Sequence, residues 1–202
     1  MFARATLILC LLLFTAQAYA GPEIQTWETD NGARVMFVEA PAIPMLDVRV
    51  VFNAGSARDG KLPGLALMTN MLLNDGAADL TADQLAEGFE SLGAQFGTSS
   101  LRDMAILTLR TLSEDEVRQQ SLALLGKVLK SPTFPADEIE RRRLQMRVGL
   151  EKQAESPSAT AKNHFFEALF NDHPYAHNPA GDEKSIEAMT RDDILAFYNR
   201  YY

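Results

Sequence analysis

The sequence predicts an α+β fold, a largely antiparallel sheet with helices packed on one face, on three observations. Strand-like segments crowd the first half, amphipathic helical segments fill the second, and the one early helix is apolar nearly all round. Ile24 to Trp27 and Arg34 to Glu39 flank Asp30-Asn31-Gly32, the pattern of two strands joined by a tight hairpin. Met45 to Asn53 continues in strand style, Val48, Val50 and Phe52 alternating with Asp47, Arg49 and Val51. After the loop from Gly55 to Gly64, Leu65 to Leu73 reads as a buried helix that Gly76 ends. Thr81 with Gln84 three residues on forms a capping box for a helix to Leu92, and Gly93 stops it. Ala94 to Ser100 and Met104 to Leu112 form a second strand pair. Three or four helices follow, around 114–129, 136–154, 159–170 and 190–201, the last with the capping pattern repeated at Thr190 and Asp193.

Composition bounds the partners. With 47% apolar and 23% charged residues in 202, the chain is an ordinary globular one, and one domain is the natural count. Nineteen basic residues against 27 acidic ones give a net charge of −8, which repels phosphate backbones. The one basic run, Arg141-Arg142-Arg143, is short and flanked by Glu138 and Glu140, so nucleic acid is excluded as a first reading.

Residues 1–20 read as a secretory signal: Arg4, then an apolar run from Ala5 to Phe14, then Ala18-Tyr19-Ala20 before Gly21. That run is too short for a permanent span of about 30 Å of hydrocarbon. A periplasmic or secreted chain, residues 21–202, without a membrane anchor after cleavage is the expectation. Cleavage removes Arg4 and the single cysteine, Cys10, and leaves a net charge of −9 with no thiol to oxidise.

Several segments taken in order resemble the N-terminal domain of the pitrilysin/insulin-degrading family of zinc peptidases, which includes the mitochondrial processing peptidase subunits. They are Asn31 to Val35, Ala54 to Asp59, Gly64-Leu65-Ala66, Asn74 to Ala77, Leu92-Gly93-Ala94, Ser131 to Pro135, His173-Pro174-Tyr175, Gly181 and the closing helix from Thr190 to Tyr202. No piece is specific alone; their order and spacing are. The resemblance implies a metallopeptidase-like N-terminal domain whose last strand or strands lie beyond Tyr202, hence a fragment of a larger protein.

Family members hold zinc through H-x-x-E-H on the helix after that glycine loop, with a third ligand, a Glu, some 75 residues later. The two His lie at i and i+4 on one helical face, and the Glu between them activates the zinc-bound water. In this chain the matching positions are Leu67, Asn70 and Met71. Leu67 has no lone pair, Met71 offers a thioether suited to copper(I) more than zinc, and the Asn70 amide does not accept a proton near neutral pH. Registering the later helix on Glu155-Ser156-Pro157 puts Val148 or Gly149 at the third ligand, and neither can coordinate. No catalytic residue, metal ligand or cofactor is therefore expected, although the family would use zinc.

Other residues rebuild no site. His173 and His177 are four apart, but Pro174 breaks a helix through them, and they read as structural loop histidines. His164 reads as a half-buried packing residue, and Asp75, Asp79 and Asp83 as solvated turn residues rather than a calcium site. Gly149 reads as a helix glycine that lets two helices approach. There is no G-x-S-x-G elbow, Thr98-Ser99-Ser100 reads as solvent-facing hydroxyls, and no Gly-rich phosphate loop follows a strand.

The resemblance then implies an exported, non-catalytic subunit that pairs with an active zinc peptidase subunit and helps bind peptides or unfolded protein. By the same resemblance the substrate edge is the strand from Gly93 to Ser100, with Phe96, Gly97 and Thr98 beside the peptide. An active zinc metalloendopeptidase and a truncated, non-functional fragment are the alternatives.

Overall fold

The computed structural model describes residues 21–202; the expected signal segment lies outside the described residues. The chain divides into two compact units, one ending at Ile43 and one running from Pro44 to Tyr202. The described part of the first is a hairpin, β1 (Ile24–Glu28) and β2 (Arg34–Val38), antiparallel with Ile24 opposite Val38 and Glu28 opposite Arg34. Gly32 takes φ 81° in its turn, the left-handed geometry that the Asn-Gly pair favours.

The second unit carries a three-stranded antiparallel sheet in the order β3 (Met45–Phe52), β7 (Ala105–Leu112), β6 (Gln95–Ser100). Its central strand shows the two-residue period from Leu107 on: Leu107, Leu109 and Thr111 are buried while Thr108, Arg110 and Leu112 are exposed, and before them Ala105 and Ile106 are both buried. Between the strands lie β4 (Gly76–Ala77) and β5 (Leu80–Thr81), a short ribbon the sequence reading missed; Gly76 enters it at φ 143° instead of merely ending a helix.

Among the described residues seven α-helices cover the sheet and each other: α1 (Leu65–Leu72), α2 (Ala82–Ser91), α3 (Asp115–Lys130), α4 (Ala136–Ala154), α5 (Pro157–Phe170), α6 (Glu183–Ala188) and α7 (Arg191–Tyr201). The capping boxes at Thr81/Gln84 and Thr190/Asp193 both form. A third, Asp182/Ser185, opens α6, the helix absent from the sequence reading. Met68 and Leu72 of α1, Leu107 and Leu109 of β7, Val128 of α3, Phe134, and Ile186 and Ile194 of α6 and α7 are fully buried together in one core.

The arginine run is structural. Arg142 and Arg141 both bind the Asp75 carboxylate, and Arg143 donates to the carbonyls of Ile186 and Met189 at the end of α6. Asp75 is accordingly buried, its side chain 3% exposed, and is not the solvated turn residue expected. Asp79 does stay exposed, paired with Lys127 at 3.1 Å.

Candidate functional site

Helix α1 is set in place by its N-terminus. Gly64, the residue before it, has no side chain to cap the helix, and Asp59 does so from five residues upstream. Its Oδ2 accepts from the Gly64 N–H at 2.8 Å and its Oδ1 from the Ala66 N–H at 2.7 Å, satisfying two orphan donors at the positive end of the helix. His177 Nε2 meets Asp59 Oδ2 at 3.0 Å, so this histidine is bound to the cap and lies on no helix with His173. His173 Nδ1 accepts from the Tyr175 N–H at 3.2 Å, a loop contact. His164, expected half-buried, is 75% exposed on α5 beside Glu167.

On α1, Leu67 and Met71 are half-buried and packed against the core, while Asn70 is 1% exposed. Asn70 Nδ2 donates to the Tyr202 hydroxyl at 3.3 Å. That hydroxyl is pushed up to about 12, chiefly by burial. The ring of Tyr202 lies 4.9 Å from that of Phe52 and 5.2 Å from that of Tyr198.

Val148 and Gly149 lie elsewhere. Helix α4 turns Ile139, Met146 and Leu150 to the core, whereas Val148 is 40% exposed and Gly149 opens onto solvent with Arg141, Leu144, Gln145 and Lys152 around them. The helical period accounts for this exposure: a residue two beyond Met146 is rotated by about 200° and leaves the packed face. These three α4 residues that face the core are a thioether and two aliphatic chains, none of them a zinc donor. Nothing comes within 4 Å of a Cβ built on Gly149, so this glycine serves no close helix approach.

The donor set on α1 and α4 does not fit zinc, and among the described residues no cluster of three or more His, Cys, Asp or Glu side chains is placed to hold a metal.

Strand β6 pairs with β7 on one side and with no other strand among the described residues. Phe96 stacks on Phe89 of α2 with centroids 4.8 Å apart, and Thr98 Oγ1 accepts from Asn74 Nδ2 at 2.8 Å, so both side chains face the helices. The hydroxyl of Thr98 is thus engaged, not solvent-facing as expected. Gly97 opens on the opposite face of the sheet, where its carbonyl accepts from Thr108 Oγ1 at 3.3 Å.

Beside Leu67 lies a cleft of about 460 Å³ between the β6–β7 turn, the end of α4, helix α5 and the loop at Asn178. Arg102 enters it in a fixed pose: its guanidinium stands 4.1 Å over the Phe166 ring and donates to the carbonyls of Tyr175 at 2.7 Å and His177 at 3.2 Å. Burial pulls its pKa below the usual value, opposed by Asp103. Gln153, Asn163 and Asn178 form an amide cluster there, both asparagine Nδ2 groups donating to Gln153 Oε1. Sequence reasoning missed the Asn70–Tyr202 contact and this amide cluster; neither has a local signature, because their members are far apart in the chain.

With this geometry in view, comparison with known proteins is informative. Residues 34–183 match the family described as insulinase, peptidase family M16. An uncharacterized zinc protease of Rickettsia bellii is 23% identical over 173 residues, covering 85% of this chain and 42% of its own length. The non-peptidase homolog YmxG of Helicobacter pylori is 27% identical over 161 residues, 79% of this chain and 37% of its own. The crystal structure of a peptidase M16 inactive domain from Pseudomonas fluorescens superposes with a TM-score of 0.86 at 45% identity, covering 87% of this chain and 43% of that one. The chain therefore spans about two fifths of the length of these relatives. A match running from β2 to the start of α6, on a fold shared with a solved relative, leads to one conclusion: the chain belongs to the insulinase family, peptidase family M16.

Proposed function

We propose that the chain is the N-terminal domain of an exported, non-catalytic member of this family, which joins a zinc-bearing subunit to enclose and bind peptides. One observation carries the reading: where the family places two zinc-binding histidines and a glutamate, α1 presents Leu67, Asn70 and Met71, with Asn70 hydrogen-bonded to a tyrosine. Leu67 and Met71 are half-buried and packed against the core, so the helix keeps its place in the fold while its donors are gone. The relative named an inactive domain and the relative named a non-peptidase homolog are in keeping with this reading.

Peptide binding here uses the edge of β6 that pairs with no strand among the described residues. An extended peptide added there gains backbone hydrogen bonds with little demand on its sequence, and Phe96, Gly97 and Thr98 lie beside it. Phe96 and Thr98 are held from the helix side by Phe89 and Asn74. Export rests on the features of residues 1–20, and no described helix is long and apolar enough to cross a membrane.

The test is co-expression with a candidate zinc-bearing subunit. The two chains should co-purify, and peptide hydrolysis by that subunit should rise at least several-fold when this chain is present. Activity that is the same with and without it, in a mixture that shows no association, would reject the pairing.

A further inference from the structure

The cleft beside Leu67 carries a charge pattern at odds with the rest of the molecule. In a chain with 27 acidic and 19 basic residues, its twelve lining residues include Arg102 and Lys162 and no carboxylate. The hydrogen-bonding bias is the same. Gln153 Oε1 accepts from Asn163 Nδ2 at 3.3 Å and from Asn178 Nδ2 at 2.6 Å, which leaves the Nε2 group of Gln153 with no acceptor among the described residues. Asn178 Oδ1 is also engaged, by the Ala180 N–H at 3.1 Å. Lys162 is exposed on α5 and makes no ion pair among the described residues. The side-chain oxygens of Gln153 and Asn178 are thus engaged, while Asn163 Oδ1 stays open; Gln153 Nε2 and the Lys162 ammonium are the donors left to meet an anion.

The apolar part of the lining narrows the anion. Leu67, Leu101, Phe166 and Pro179 stand around the same space, and about 460 Å³ is far more than a small inorganic ion fills. Leu101 is itself 48% exposed at the mouth, an apolar side chain left open to a partner. A group that is carboxylate at one end and hydrocarbon at the other uses both halves.

We propose that this cleft receives the C-terminal carboxylate of a bound peptide whose last side chain is apolar, with Lys162 and the Gln153 amide as its hydrogen-bond donors and Arg102 as the fixed positive charge. It rests on the peptide-binding reading given above, and adds to it a preference for free chain ends.

Fluorescence anisotropy on the full chain tests it, with one labelled peptide ending in leucine, prepared as the free acid and as the C-terminal amide. The free acid is expected to bind at least about tenfold more tightly, the range of one charge-assisted hydrogen bond. Lys162→Gln, on an exposed position that the fold does not need, should weaken binding of the free acid far more than that of the amide and so remove most of that difference. Equal affinities of the two peptides, or a preference that survives Lys162→Gln, would overturn the proposal while leaving peptide binding standing. Displacement of the free acid by inorganic phosphate as effectively as by unlabelled peptide would also overturn it, since a generic anion site would then suffice. Failure of both peptides to bind would instead reject the peptide-binding reading itself.

Discussion

Asn70 donates its side-chain N–H to the hydroxyl of Tyr202 at 3.3 Å, across 132 positions of sequence, and so fastens the middle of α1 to the last residue after α7. Burial raises that phenol to about 12, above its ordinary 10.0. The folded chain therefore keeps a proton that the unfolded chain releases near pH 10. The sign follows directly: this contribution to stability is complete below pH 10 and is lost as pH climbs to 12, up to about 2 to 3 kcal/mol in all. Urea denaturation at pH 9 and pH 11.5 should show the fall, and Tyr202→Phe should make it shallower. Tyr198, also raised by burial, accounts for part of the slope that remains.

Asp75 is buried under Arg142 and Arg141, with oxygen–nitrogen distances of 2.6 to 2.7 Å. Removing one member of a buried, hydrogen-bonded ion pair strands the other, so Asp75→Ala should cost about 3 kcal/mol. The exposed Asp79–Lys127 pair supplies the contrast, and Asp79→Ala should leave the denaturation midpoint almost unmoved. Guanidinium titrations of the two variants check this; equal losses would contradict the burial of Asp75.

Two glycines should respond in opposite directions to alanine. Gly181 sits at φ 82°, and a Cβ there would lie 2.4 Å from the Pro63 carbonyl oxygen, backbone against backbone at the entrance to α1. Gly181→Ala should destabilise the fold by more than about 1 kcal/mol. Gly149 is a helical glycine with open space at its Cβ position, so Gly149→Ala should stabilise by about 0.5 to 1 kcal/mol. Thermal unfolding of both variants reads the two signs.

What was legible in the sequence was mostly local. The alternation in β3 and β7 and the two capping boxes at Thr81 and Thr190 are set by neighbours within a few residues, and they appear in the structure where the pattern puts them. The vacant positions on α1 were readable for a related reason, since i and i+4 on a helix share a face whatever surrounds it. The orientation of α4 was not: only the fold shows that Met146 and Leu150 pack inward while Val148 and Gly149 are exposed. Asp75 looked like a turn residue because its arginine partners lie 66 and 67 positions away. His177 read as a structural loop histidine, but its partner was not legible because the carboxylate it meets, Asp59, is 118 positions away. The β4–β5 ribbon and α6 escaped notice through shortness, at two residues per strand and six in the helix.

Metal content tests the central claim most directly. The chain, purified without chelator, dialysed against micromolar zinc and then against metal-free buffer, should retain far less than one zinc per molecule by mass spectrometry of the metal. Retention of one zinc per molecule, together with peptide cleavage that a chelator abolishes and zinc restores, would contradict the account.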